Sequence, residues 1–177
     1  MKYLLFIAVL AVALFANNGN QAKKNTKPTQ KEVAAVNNAF YSKECGSCHF
    51  AYQAGLLPEN AWRKMMNNLE NHFDTDASLD KEEYMTILNY LVANSAEKNM
   101  QYKRSAKIVK SIKVGQIPES ISKTPYMIEK HNDIRADLIT QKEVKGIFNC
   151  MACHTTADRG IYTKRDIKIP NYGAWKE

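Results

Sequence analysis

All four cysteines of the chain, and half of its histidines, fall in two short stretches: Cys45-Gly46-Ser47-Cys48-His49 and Cys150-Met151-Ala152-Cys153-His154. Thiols and imidazoles spaced as C-x-x-C-H can hold zinc, form a disulfide or redox pair, or bind a porphyrin covalently. Zinc would take four sulfurs tetrahedrally and leave the histidine after each pair without a role. Structural disulfides leave the same histidines unexplained. A thioredoxin-like C-x-x-C belongs beside a strand–helix–strand pattern, and neither motif has one. Covalent haem uses every residue: each thiol adds to a vinyl group on one edge of the ring, and the next histidine reaches the iron. The expected cofactors are therefore two covalently attached haem c groups. Cys45, Cys48, Cys150 and Cys153 are the attachment points, with His49 and His154 as proximal iron ligands.

What fills the sixth coordination position decides the chemistry. An open position permits ligand binding or catalysis, whereas a side chain there restricts the iron to electron transfer. Two histidines remain, His72 and His131. His72 follows His49, and His131 precedes His154, by the same 23 positions. The economical expectation pairs His49 with His72 and His131 with His154, although a crossed pairing stays open. Met65, Met66 and Met127 are rival ligands, but their helical spacing suits packing. Trp62, Phe50, Tyr52, Phe73 and Tyr126 are expected to pack on haem faces and edges.

The elements that must carry these residues read as mostly helical. A helix is predicted over 29–43, opened by a Thr29–Glu32 capping box, running into the first motif. Pro58 opens a second helix, with Trp62, Met65, Met66, Leu69, His72 and Phe73 along one face. Ser78 is the expected cap of a third, with Tyr84, Ile87, Leu88 and Leu91 as its apolar stripe. Thr124-Pro125 opens a short helix that delivers His131, and a last helix over 141–149 leads into the second motif. Alternating apolar residues occur only over 166–170, and the tail from 155 reads as irregular. The predicted fold is mainly α, with few or no strands. Two small helical haem domains, 31–115 and 116–177, meet near Gly115 and Pro118.

Residues 1–16 read as an export signal: Lys2, then an apolar run over 4–15, then Ala16. That run is shorter than the roughly 18 or more apolar residues a membrane span needs. Residues 17–30 are almost wholly polar and read as a flexible tether. The formal charge is +7, with lysines scattered along the chain. Exported, scattered basic residues argue against nucleic acid and for steering toward an acidic protein partner.

Beyond these motifs, residues 44–80 (ECGSCHFAYQAGLLPENAWRKMMNNLENHFDTDASLD), with 122–134 and 149–170, resemble the dihaem cytochrome c family. The shared pieces are E-C-x-x-C-H, G-L-L-P, a tryptophan, N-H-F and A-S-L-D. The resemblance implies a periplasmic, mainly helical electron carrier with two bis-histidine haems, His49/His72 and His131/His154. It also implies a redox partner: an oxygen-binding monohaem cytochrome, a membrane cytochrome b or a terminal reductase. No catalytic residue is expected. The alternatives are the subunit through which electrons enter a periplasmic reductase, or a haem enzyme or gas-binding protein with one open iron.

Overall fold

A computed structural model of the protein describes residues 31–175. The export signal, the tether and the Thr29 cap lie outside the described residues. Among the described residues there are six α-helices: α1 (Ala39–Glu44), α2 (Glu59–Met66), α3 (Lys81–Ala93), α4 (Lys103–Ser111), α5 (Pro125–His131) and α6 (Ala136–Thr140). Short 3-10 turns join them, and β1 (Lys168–Ile169) pairs antiparallel with β2 (Gly173–Ala174). The fold is mainly α. No helix among the described residues is long and apolar enough to cross a membrane.

Helix α2 packs on α3, and α4 packs on α5. Between them lies one apolar core that runs from Val33 through Leu57, Ile87, Leu91 and Ile108 to Tyr126, Ala157 and Tyr162. Residues before and after position 115 thus share the same buried surface. Trp62 is buried and its indole N–H donates to Ala54 O at 2.7 Å, which satisfies its polar edge. Met66 and Met127 are also core residues, and Met65 packs against that core.

Several elements differ from the sequence expectation. Residues 31–38 are not helical; α1 starts at Ala39, capped by Asn38, whose side chain accepts from Tyr41 N. The reason is tertiary competition for Glu32. Its N–H donates to Gly160 O at 2.8 Å, and its carbonyl accepts from Arg104 N at 2.9 Å. Its carboxylate pairs with Arg104 at 2.8 Å. A capping contact worth about 1 kcal/mol does not outweigh that set. The third helix is capped by Asp80 rather than Ser78, in a full capping box with Glu83. A carboxylate serves better than a hydroxyl at the positive end of a helix. The predicted helix over 141–149 is absent; α6 ends at Thr140, and the following turns include positive φ at Lys145 and Gly146. The short helix opened by Thr124-Pro125 forms as expected, with Thr124 Oγ1 accepting from Met127 N.

Candidate haem sites

The first motif is set by the end of α1. Cys45 N donates to Tyr41 O at 3.0 Å, so the helix carries straight into the C-x-x-C turn. Gly46 is required there: a Cβ on it would stand 2.0 Å from Ser42 O, a backbone atom that cannot yield. The second motif forms a 3-10 turn, Cys150–Ala152, in which His154 N donates to Cys150 O at 2.8 Å. Met151 fits at the position that demands glycine in the first motif, because no helix runs into this turn. The tail then folds back: His154 bridges Ile167, and Lys168 N donates to Cys153 O at 3.0 Å. Gly46→Ala is therefore expected to impair attachment at the first motif only. Intact-mass measurement would then find a fraction of the protein one haem lighter.

His72 does not end α2, as the apolar spacing suggested. The helix stops at Met66, and a 3-10 turn, Leu69–Asn71, precedes His72. His72 N donates to Thr75 O at 2.8 Å and His72 O accepts from Thr75 N at 3.2 Å. The two residues between them, Phe73 and Asp74, both have positive φ (51° and 66°). A tight two-residue loop, strained at Phe73, thus presents the imidazole. His131 is the last residue of α5, where the Thr124 cap and Pro125 fix the helix start.

The fold brings the four imidazoles together as two pairs. The ring centres of His49 and His72 lie 6.3 Å apart with planes inclined at 30°. Those of His131 and His154 lie 6.2 Å apart, at 80°. Two imidazoles sharing one metal, with bonds of about 2.0–2.1 Å and each nitrogen about 1.1 Å from its ring centre, need about 6.3 Å. His49 Nδ1 donates to Phe50 O at 2.9 Å, and His131 Nδ1 donates to Met127 O at 2.7 Å. A carbonyl only accepts, so Nδ1 carries the proton and Nε2 is left with its lone pair. Burial lowers the pKa of His72 and His131, and lowers that of His154 to about 4. Those three rings are neutral at pH 7, as a metal ligand must be. Burial also pushes the Cys45 and Cys150 thiols up to about 11. Exposed apolar side chains flank both pairs: Phe73 beside His72, Ile128 near His131, and Phe148 before Cys150. Donors and surroundings fit a large apolar ring with iron at its centre. Among the described residues, no three His, Cys, Asp or Glu side chains converge as a zinc site requires.

The sequence model of the family described as dihaem cytochrome c matches residues 41–162, well over half of the chain. This protein belongs to that family. A new diheme cytochrome type c from Shewanella baltica OS155 is 35% identical, with a TM-score of 0.65 over 78% of this chain and 98% of that one. A diheme cytochrome c from Rhodobacter sphaeroides is 34% identical, with a TM-score of 0.65 over 73% of this chain and all of that one. A second structure of the Rhodobacter sphaeroides protein gives 35% identity and a TM-score of 0.57, covering 72% of this chain and 99% of that one. No curated protein matches the chain.

As a dihaem cytochrome c, the protein carries two haem c groups and is a haem-based electron-transfer protein. Residues outside the motifs tie the two sites of this dihaem cytochrome to each other. The Tyr52 ring lies 4.8 Å from that of His49, and its hydroxyl donates to Phe148 O at 2.6 Å. Cys150 N donates to the same carbonyl at 2.9 Å. Fully buried Gln53 donates from Nε2 to Ala157 O at 2.6 Å and accepts from the Tyr162 hydroxyl at 2.7 Å. The Tyr162 ring lies 5.4 Å from that of His154. None of Glu32, Gln53, Arg104 and Tyr162 stands out in the sequence as part of a site. Their only signal there is the weak one of polar residues next to motif or core positions.

Proposed function

We propose that this protein is an exported, periplasmic electron carrier whose two irons are both held between histidines. His49 and His72 serve the haem attached at Cys45 and Cys48; His131 and His154 serve the haem attached at Cys150 and Cys153. Residues 31–115 and 116–177 would each bind one haem while sharing a core. The observation that carries this reading is the spacing of the two imidazole pairs, 6.3 and 6.2 Å between ring centres, at the separation one shared metal needs. The Nδ1–H bonds of His49 and His131 to backbone carbonyls add to it, since they aim Nε2 and stiffen each ring.

When bound, each haem supplies one-electron Fe(III)/Fe(II) chemistry. The chain's own residues hold both axial positions, keep water from them and need move no proton. Tyr52 and Phe148 join the two sites through a side chain and one hydrogen bond, a short packed path between them. The scattered positive charge of the chain suits an acidic redox protein as the partner.

The test is spectroscopic. The oxidised protein is expected to be fully low-spin, and the reduced protein to leave carbon monoxide unbound. The two ferric magnetic-resonance signals are expected to differ. Nearly parallel imidazoles split the iron dπ orbitals, whereas crossed ones leave them almost degenerate. The His49/His72 site should therefore give a rhombic signal, and the His131/His154 site a strongly anisotropic one. A high-spin ferric band, or carbon monoxide binding to the folded reduced protein, would overturn the reading in favour of an open iron.

A further inference from the structure

Arg104, on α4, is a buried cation beside the second site. Its side chain is 13% exposed and that of its partner Glu32 is 15% exposed. Nη2 donates to Glu32 Oε2 at 2.8 Å and to Tyr162 O at 3.1 Å, and Nη1 donates to the Tyr126 hydroxyl at 3.1 Å. The guanidinium also lies over the Tyr162 ring, 5.1 Å from its centre, and that ring adjoins His154. One donor is left over. Arg104 Nε is buried and has no acceptor.

A buried guanidinium N–H without an acceptor has lost its water and gained nothing in return, so the site favours any acceptor that can reach it. The group that enters this site carries two carboxylates, and a carboxylate is the acceptor a guanidinium binds most strongly. We propose that Arg104 anchors a carboxylate of the second haem through its free Nε–H and, together with Glu32, sets the reduction potential of that haem. This rests on the reading of His131 and His154 as the axial pair of the second haem. The sign follows from charge. Reduction adds an electron, so a nearby guanidinium favours the ferrous state and a nearby carboxylate the ferric state.

The experiment is a redox titration of the holoprotein, followed by magnetic resonance so that each iron is read by its own signal. Propionate-bending bands in the resonance Raman spectrum are recorded alongside. Arg104→Gln is expected to lower the second potential by about tenfold in the reduction equilibrium, about 59 mV, and to leave the first unchanged. Glu32→Gln, which leaves the guanidinium uncompensated, is expected to raise the second potential. Arg104→Lys keeps the charge, so the reduction equilibrium of the second haem stays within about twofold of the wild type. It loses the Nε–H, so a propionate band shifts to the position of a weaker hydrogen bond, as it does in Arg104→Gln. If Arg104→Gln fails to fold, the lysine and Glu32 variants carry the test. A merely structural role would loosen the pocket and move both charge variants in one direction, and that result overturns the proposal. So does a propionate band unmoved in the Arg104 variants. If the wild type lacks the strongly anisotropic signal, the axial-pair reading fails first; if the signal is present and the potentials stay put, the Arg104 proposal fails alone.

Discussion

His72→Ala is expected to turn one of the two irons high-spin and to let the reduced protein bind carbon monoxide at that iron alone. The side chain reaches its partner from a tight loop, His72 to Thr75, closed by two backbone hydrogen bonds that do not involve the imidazole. Removing the ring therefore leaves the loop in place and opens one coordination position. The neighbouring methionines are not poised to refill it, because Met66 is buried in the core and Met65 packs against that core. His131→Ala is expected to do the same at the other iron, with the loss of the strongly anisotropic ferric signal instead of the rhombic one. His72→Met should keep that iron six-coordinate and raise its potential on the order of a tenth of a volt. That lies within the roughly 0.8 V that axial ligation spans. Titration showing both potentials unchanged in His72→Met would refute the assignment of His72. The proximal variants His49→Ala and His154→Ala should instead disturb the whole spectrum of the affected haem, since they remove the ligand adjoining its attachment point.

The second large effect is one of stability. Gln53→Leu is expected to cost about 2–4 kcal/mol, because it strips hydrogen bonds from groups that remain buried. Gln53 is fully buried and holds Ala157 O and the Tyr162 hydroxyl; Asp158 O receives a longer third contact at 3.3 Å. These bonds join a residue four positions after the first motif to the loop that follows the second. Leucine fits the volume roughly but satisfies none of those groups. Melting of the holoprotein should fall by roughly 5–15 °C for a domain of this size. Tyr162→Phe removes one hydroxyl and should cost about 1–2 kcal/mol. The double variant should cost less than the two singles combined, since both break the same bond. A melting point within a degree of wild type for Gln53→Leu would show that the Gln53 hydrogen bonds do not hold the two halves together.

Much of this protein's chemistry is legible without a structure. Covalent haem attachment demands two thiols and a neighbouring imidazole in one short turn, so the spacing in Cys45–His49 and Cys150–His154 is a local constraint written within five residues. The mainly helical fold is legible for the same reason: apolar spacing, the Thr124-Pro125 start and the absence of long alternating runs are all local. Element ends proved less so. Glu32 reads as a capping partner until Gly160, Arg104 and Tyr162 compete for it, and among the described residues of the expected helix only those from Ala39 onward, in α1, are helical. His72 reads as the end of a helix until Asn67 and Asn68 stop that helix, and a loop presents the ring instead.

Ligand scarcity, four imidazoles for two irons, is a property of composition and needs no coordinates. Which imidazole faces which, at what angle, is another matter. The 30° and 80° inclinations, the Tyr52 link between the sites and the Arg104–Glu32 pair beside the second site join residues from distant parts of the chain. No short-range pattern encodes such contacts, because burial and shared hydrogen-bond partners select them only once the core has closed.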